Sequence, residues 1–180
     1  MRRLMLLRHA KTERDAPSGR DQDRRLDKRG RADAAEIGVW IGQHPPFPDL
    51  VLVSPAVRGQ QTWEIAWEAM KDLAPEPQVE LVPELYGADP SQLLQTIRET
   101  TATDAKRLML VGHNPGMHEL AFALAGSGDT ASRKALADNL PTSGLAVFDF
   151  AAGDWTDVAF RRGRLALFVT PRLLKQTSGD

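Results

Sequence analysis

The sequence predicts an α/β fold: a three-layer α/β/α sandwich with a mostly parallel central sheet and an antiparallel strand addition towards the C-terminus. Three observations predict it. Wholly apolar runs recur at residues 4–7, 50–53 and 108–111, the pattern of strands buried on both faces. Ser54-Pro55, Asp89-Pro90 and Asn114-Pro115 each pair a capping residue with proline, which marks a helix start. Strands alternating with helices imply helices on both faces of a parallel sheet.

Residues 4–7 form the first strand. Residues 11–29 are dense in charge of both signs around Pro17-Ser18-Gly19 and read as a long solvated loop, a kind that usually serves function or moves. A helix over 31–43 presents an imperfect apolar face of Ala34, Ala35, Ile37, Trp40 and Ile41, and His44-Pro45-Pro46 stops it. After the strand at 50–53, Ser54 is the expected N-cap and Pro55 the first residue of a helix to about residue 73. Residues 79–82 alternate enough to form an edge strand. A helix then runs from Asp89-Pro90 to about residue 99, a fourth strand covers 108–111, and a helix from Asn114-Pro115 reaches about residue 125. A polar segment over 126–141 has some helical content. Strands at 146–150, 156–160 and 166–170, separated by Gly153-Asp154 and Arg162-Gly163, form an antiparallel meander that Pro171 ends.

At 180 residues, against a prior of about 150 per domain, the chain is expected to be one domain over 1–180 with an ample core. A 42% hydrophobic and 26% charged composition argues against disorder and against a membrane-spanning design. Net charge is −1, so no overall field attracts nucleic acid or anionic lipid. Cysteine is absent, which removes thiolate nucleophiles, disulfides and Cys-rich zinc sites. The apolar run at 4–7 is too short for a secretory signal, and the expectation is a soluble cytoplasmic protein.

In such sheets ligands bind beyond the carboxyl ends of the strands, beside helix N-termini. Arg8-His9 follows the first strand, Arg58 the second, and Gly112-His113-Asn114 the fourth. Two imidazoles and two guanidinium groups would thus converge where helix dipoles already favour an anion. Arginine forks match phosphate oxygens, and a neutral imidazole is a competent nucleophile towards phosphorus. No carboxylate cluster is placed to hold magnesium, so no metal or other cofactor is expected. Glu84, just past the third strand, is the best placed carboxyl to protonate a leaving oxygen, and serves equally well as a solvated loop residue. For Arg58 the plainer reading is a surface helix residue paired with Glu64 or another carboxylate, although a cation in a first helical turn opposes the dipole unless an anion is present. His44 and His118 read as structural, and Trp63 and Trp67 as core.

The segment Leu7-Arg8-His9-Ala10-Lys11-Thr12 resembles the Arg-His-Gly motif of the histidine phosphatase (phosphoglycerate mutase-like) superfamily, with Ala10 in place of the commoner glycine. Leu26, Gly30 and Ala34 are similar to its next motif. Ser54-Pro55, Arg58 and Gln61-Thr62 are similar to its Ser-Pro-x-x-Arg-x-x-Gln-Thr motif. Pro83-Glu84-Leu85 and Val111-Gly112-His113 follow in the family's order. The resemblance implies a phosphoglycerate mutase-like fold, His9 as the phosphorylated nucleophile, Arg8, Arg58 and His113 as the phosphate pocket, and Glu84 as proton donor. Asn114, a helix cap whose backbone faces the pocket, and Thr12 join the expected substrate-binding set.

The short chain looks like the SixA-like branch, whose type member removes phosphate from phosphohistidine on a signalling protein. The resemblance therefore implies a phosphorylated phosphotransfer protein as partner, with small phosphate esters second and neither nucleic acid nor membrane. A sugar-phosphate phosphatase or mutase, and a phosphate-binding module without turnover, are the rival readings.

Overall fold

Alternate side chains of the first strand enter two different cores, and this fixes the layers. In the computed structural model, which describes residues 1–100 and 105–178, strand β1 spans Arg2–Arg8. Leu4 and Leu6 pack on one side of the sheet, Met5 and Leu7 on the other. Strand β2 (Leu50–Val53) and the later strand β4 (Arg107–Gly112) repeat the pattern: Leu50, Leu52, Leu108 and Leu110 face the first core, Val51, Val53, Met109 and Val111 the second. A strand buried on both faces has no polar side, which explains why these segments read as unbroken apolar runs.

Helices α1 (Lys28–Gln43) and α2 (Val57–Met70) cover the second core with Ile37, Ile41, Trp63 and Met70. They pack so closely that a Cβ on Gly38 would lie 2.3 Å from the Ala66 carbonyl oxygen. Helices α3 (Pro90–Arg98), α4 (Gly116–Leu124) and α5 (Thr130–Asp138) cover the first core with Leu93, Ile97, Leu120 and Leu136. Among the described residues no helix is long and apolar enough to cross a membrane.

Among the described residues the sheet has seven strands in the order β3-β2-β4-β1-β6-β7-β5, with β3 at Gln78–Leu81, β5 at Ala125–Gly128, β6 at Leu145–Phe150 and β7 at Gly163–Val169. β3, β2, β4 and β1 are mutually parallel. β6 is antiparallel to both β1 and β7, and β5 is parallel to β7. Only β6 therefore runs against the rest, and β3 sits at an edge as its alternation suggests.

The expected meander needs correction. Residues 156–160 form no strand: a short 3₁₀ turn at Trp155–Asp157 stands there, capped by Asp154 and held by the buried Trp155, whose Nε1 donates to the Ala105 carbonyl at 2.6 Å. The missing place beside β7 is taken by β5, whose Ala-Gly-Ser-Gly sequence carries no strand signal of its own. Pro171 does end β7 but opens a sixth helix, α6 (Pro171–Ser178). Helix α1 starts earlier than expected, at Lys28, because the Asp27 carboxylate accepts the Gly30 N–H at 2.7 Å. Helix α2 begins at Val57, not at Pro55, and ends at Met70. Ser54 does not cap it; its hydroxyl has another partner, described below.

Candidate active site

Strand register assembles the site. β1 and β4 pair Arg8 with Gly112, and β4 and β2 pair Val111 with Val53, so His9, His113 and Ser54 emerge side by side at one edge of the sheet. The His9 N–H donates to the Gly112 carbonyl and the Ser54 N–H to the Val111 carbonyl, each at 3.0 Å. The imidazoles of His9 and His113 lie 5.2 Å apart, centroid to centroid. Arg58, in the first turn of α2, is buried with them. Thr62, one turn later, ties this turn to the segment that carries His9: its hydroxyl donates to the Arg58 carbonyl at 2.7 Å and accepts the Ala10 N–H at 2.9 Å.

The orientation of His9 follows from one contact. Its Nδ1 lies 2.8 Å from the Ala10 carbonyl, which can only accept, so Nδ1 carries the proton. The lone pair is then on Nε2. Burial pushes the His9 pKa down to about 3; His113, Arg8 and Arg58 lower it further, while the Ala10 carbonyl works the other way. His113 is held down to about 4, again mainly by burial and then by Arg58. Its Nε2 is hydrogen-bonded to Ser54 Oγ at 2.6 Å. Both rings are neutral at physiological pH.

Arg8 donates through Nη1 to the Leu140 carbonyl at 3.2 Å, and the Asn114 side-chain amide donates to the same oxygen at 2.8 Å. Ser143, at a left-handed φ of 57°, donates its N–H to the Arg8 and His9 carbonyls. The loop before β6 thus walls the site. Arg8 Nε, His113 Nδ1 and Ser143 Oγ are buried polar atoms with no partner among the described residues. Among the described residues no three His, Asp or Glu side chains stand close enough to hold a metal ion.

Comparison with known proteins agrees with this geometry. The signature of the histidine phosphatase superfamily, branch 1, matches residues 4–104, more than half of the chain. The chain belongs to the histidine phosphatase superfamily. His113 lies beyond the matched stretch, but a Mycobacterium leprae protein without an assigned function is 33% identical over 92% of this chain and 100% of its own. A crystal structure from Agrobacterium tumefaciens, provisionally named the phosphohistidine phosphatase SixA, is 35% identical, with 94% of this chain and 98% of that one covered and a TM-score of 0.77. A likewise provisionally named SixA from Nakamurella multipartitia is 28% identical with 94% and 96% covered and a TM-score of 0.80. The chain is a SixA-like histidine phosphatase in sequence and architecture.

Other expected residues of this phosphatase are placed differently. Glu84 is exposed in a short 3₁₀ turn and lines a groove with Glu80, Thr96 and Glu99, with no hydrogen bond to the imidazoles or arginines. The Thr12 hydroxyl is engaged by Arg24 Nη2. Asn114 precedes the N-cap Pro115, and its Oδ1 accepts the His118 N–H at 3.2 Å.

Asp21, in the charged loop, is the residue that sequence reasoning missed. Arg58 pairs with a carboxylate other than Glu64: its Nη1 donates to the Asp21 carbonyl at 2.8 Å and its Nη2 to Asp21 Oδ2 at 2.9 Å. Tyr86 donates its hydroxyl to the same oxygen, and Arg24 Nη1 donates to Oδ1 at 3.1 Å. The Tyr86 ring stands edge-on to His113 at 5.5 Å. The Tyr86 hydroxyl above all, then Arg58 and Arg24, hold Asp21 down to about 2 against partial desolvation. The signal was the lone cation in the first turn of α2, which requires an anion somewhere.

Proposed function

We propose that this phosphatase acts without a metal, through a covalent phosphohistidine on His9, and that its substrate is a phosphohistidine side chain of a protein. The His9 Nδ1–Ala10 hydrogen bond carries the reading, because it leaves Nε2 with its lone pair in a ring that burial keeps unprotonated. Arg8, Arg58 and His113 surround the position where the phosphoryl oxygens would sit, and an oxyanion offers acceptors to donors such as the unpartnered Arg8 Nε–H. In the first step Nε2 bonds to phosphorus while the bond to the leaving atom breaks and that atom keeps the electron pair. In the second step water bonds to phosphorus, the P–N bond breaks with its electron pair returning to His9 Nε2, and the water proton passes to solvent.

The leaving group decides the substrate class. An alkyl phosphate ester needs a proton for its departing oxygen. Glu84 is exposed and Asp21 is ionised, so neither is poised to supply that proton. A phosphohistidine ring protonated on its far nitrogen needs no donor; it departs as neutral imidazole. The SixA names of the Agrobacterium and Nakamurella structures point the same way.

The test uses a phosphotransfer domain labelled with phosphate on histidine. Wild-type protein is expected to release phosphate and to carry acid-labile label on His9 in a quenched reaction; His9→Ala should do neither. Full turnover by His9→Ala rejects the nucleophile. A wild-type rate abolished by EDTA and restored by magnesium rejects metal independence.

A further inference from the structure

The mouth of the site carries a fixed negative charge, which is unusual for a pocket that must admit a phosphoryl dianion. Depth orders the groups. His9 is 8% exposed and Arg58 7%, whereas the Asp21 side chain is 50% exposed. An in-line displacement puts the leaving group opposite the attacking nitrogen. With the nucleophile at the floor, the leaving group faces outward, past Arg58 and His113, towards Asp21 and Tyr86.

We infer that Asp21, aimed by Arg58 and Tyr86, is the leaving-group recognition residue, and that it selects a protonated imidazole over an oxyanion. The inference rests on the proposed chemistry at His9 and concerns a different group. Arg58 and Tyr86 engage Oδ2 and Arg24 engages Oδ1. A carboxylate has about four lone-pair sites, so Oδ1 keeps an acceptor position for a substrate N–H. The charge acts on the site interior, since Asp21 opposes the other influences that hold the neighbouring His113 imidazole neutral.

The electron balance shows why the charge discriminates. A phosphorylated imidazole protonated on its far nitrogen is a cation at the ring. Its N–H donates to Asp21, which raises the population of this reactive form. As Nε2 of His9 bonds to phosphorus, the P–N bond pair returns to the departing ring, which leaves neutral with its own proton. An aryl phosphate instead develops negative charge on its oxygen as the P–O bond breaks, and the same carboxylate repels it. Arg58 keeps donors on its remaining N–H groups for the phosphoryl oxygens, so Asp21 need not vacate the guanidinium for substrate to bind.

The experiment compares kcat/KM of wild type and Asp21→Asn for N-phosphorylimidazole and for p-nitrophenyl phosphate. The side chain is half exposed in a loop, so Asn preserves shape and folding. Loss of one charge-assisted hydrogen bond predicts about a tenfold fall on phosphorylimidazole. Activity on the aryl phosphate should hold or rise, so the ratio of the two shifts by about tenfold or more. Tyr86→Phe, which removes one of the aiming contacts, should shift the ratio in the same direction by less. Equal gains on both substrates in Asp21→Asn would mean that Asp21 merely competes with phosphate for Arg58, and equal losses that it only holds Arg58 in place; either overturns the inference while leaving His9 chemistry intact. A wild-type protein that hydrolyses the aryl ester but not phosphorylimidazole overturns both readings.

Discussion

Replacing Thr62 by valine probes how His9, the proposed nucleophile, and Arg58 are held in common register. The side chain is fully buried, and its hydroxyl bridges the Ala10 N–H and the Arg58 carbonyl. Valine matches the shape of threonine but can neither accept nor donate. The Ala10 N–H, itself buried, would lose its partner, at a cost of about 1–3 kcal/mol. The Arg58 carbonyl loses less, because a helical carbonyl retains its backbone partner. A net loss near 2 kcal/mol corresponds to a fall in Tm of about 4–8 °C for a chain of this size. The same hydroxyl links the segment after β1, which carries His9, to the turn that carries Arg58. Loosening it should lower kcat on p-nitrophenyl phosphate by about tenfold or more, since small misplacements are costly in in-line transfer. Urea denaturation and steady-state kinetics read both effects, with Thr62→Ser as the control that keeps the hydroxyl and should keep kcat. If Thr62→Val matches wild type in both stability and kcat, the bridge does not hold the site.

Three further outcomes follow from packing and ionisation. His9 and His113 should both remain neutral in nitrogen-detected NMR of the unliganded protein as pH falls from 7 to 5, because burial holds them to about 3 and about 4; protonation of His9 near 6.5 would show that the ring is not desolvated. Since the folded values lie below the unfolded one, the unfolded chain binds protons first in acid, so their contribution to stability is complete above about pH 6.5 and declines as pH falls from there towards 3. Gly38→Ala should destabilise by about 1–3 kcal/mol in urea titrations, since the new Cβ meets the Ala66 carbonyl at 2.3 Å and α1 and α2 must part; an unchanged midpoint would show that the helices yield freely.

What could be read from the sequence was local. Leu4 to Leu7 with Arg8-His9, Leu50 to Val53 with Ser54-Pro55, and the run ending at His113 announce a buried strand followed at once by polar residues, so their meeting at one sheet edge needed only the rule for parallel sheets. What failed depends on distant partners. The stretch 125–128 is a strand only because β7 offers it a ladder. Residues 156–160 read as strand-like between two turn signals, yet the buried Trp155 and the Asp154 cap fix a turn instead. Ser54-Pro55 looks like a helix cap, but the hydroxyl goes to His113, a residue 59 positions later. Asp21 is one carboxylate in a loop crowded with both charges, and nothing local distinguishes it until Arg58 and Tyr86 arrive. Glu84 shows the converse: its motif is legible in order, but the order says nothing of its exposed side chain, which borders a groove with Glu80 and Glu99.

The reversed polarity of β6 has a consequence for how much of the polypeptide the chemistry requires. Parallel strands bring only their exits to the reaction edge; β6 brings its entrance, and with it the Leu140 oxygen that anchors both Arg8 and Asn114. A fragment stopping short of Leu140 would retain every motif side chain from His9 to His113 and still leave the first guanidinium without its tether. The last third of the protein, poorest in recognisable signals, is therefore part of the instrument rather than its casing.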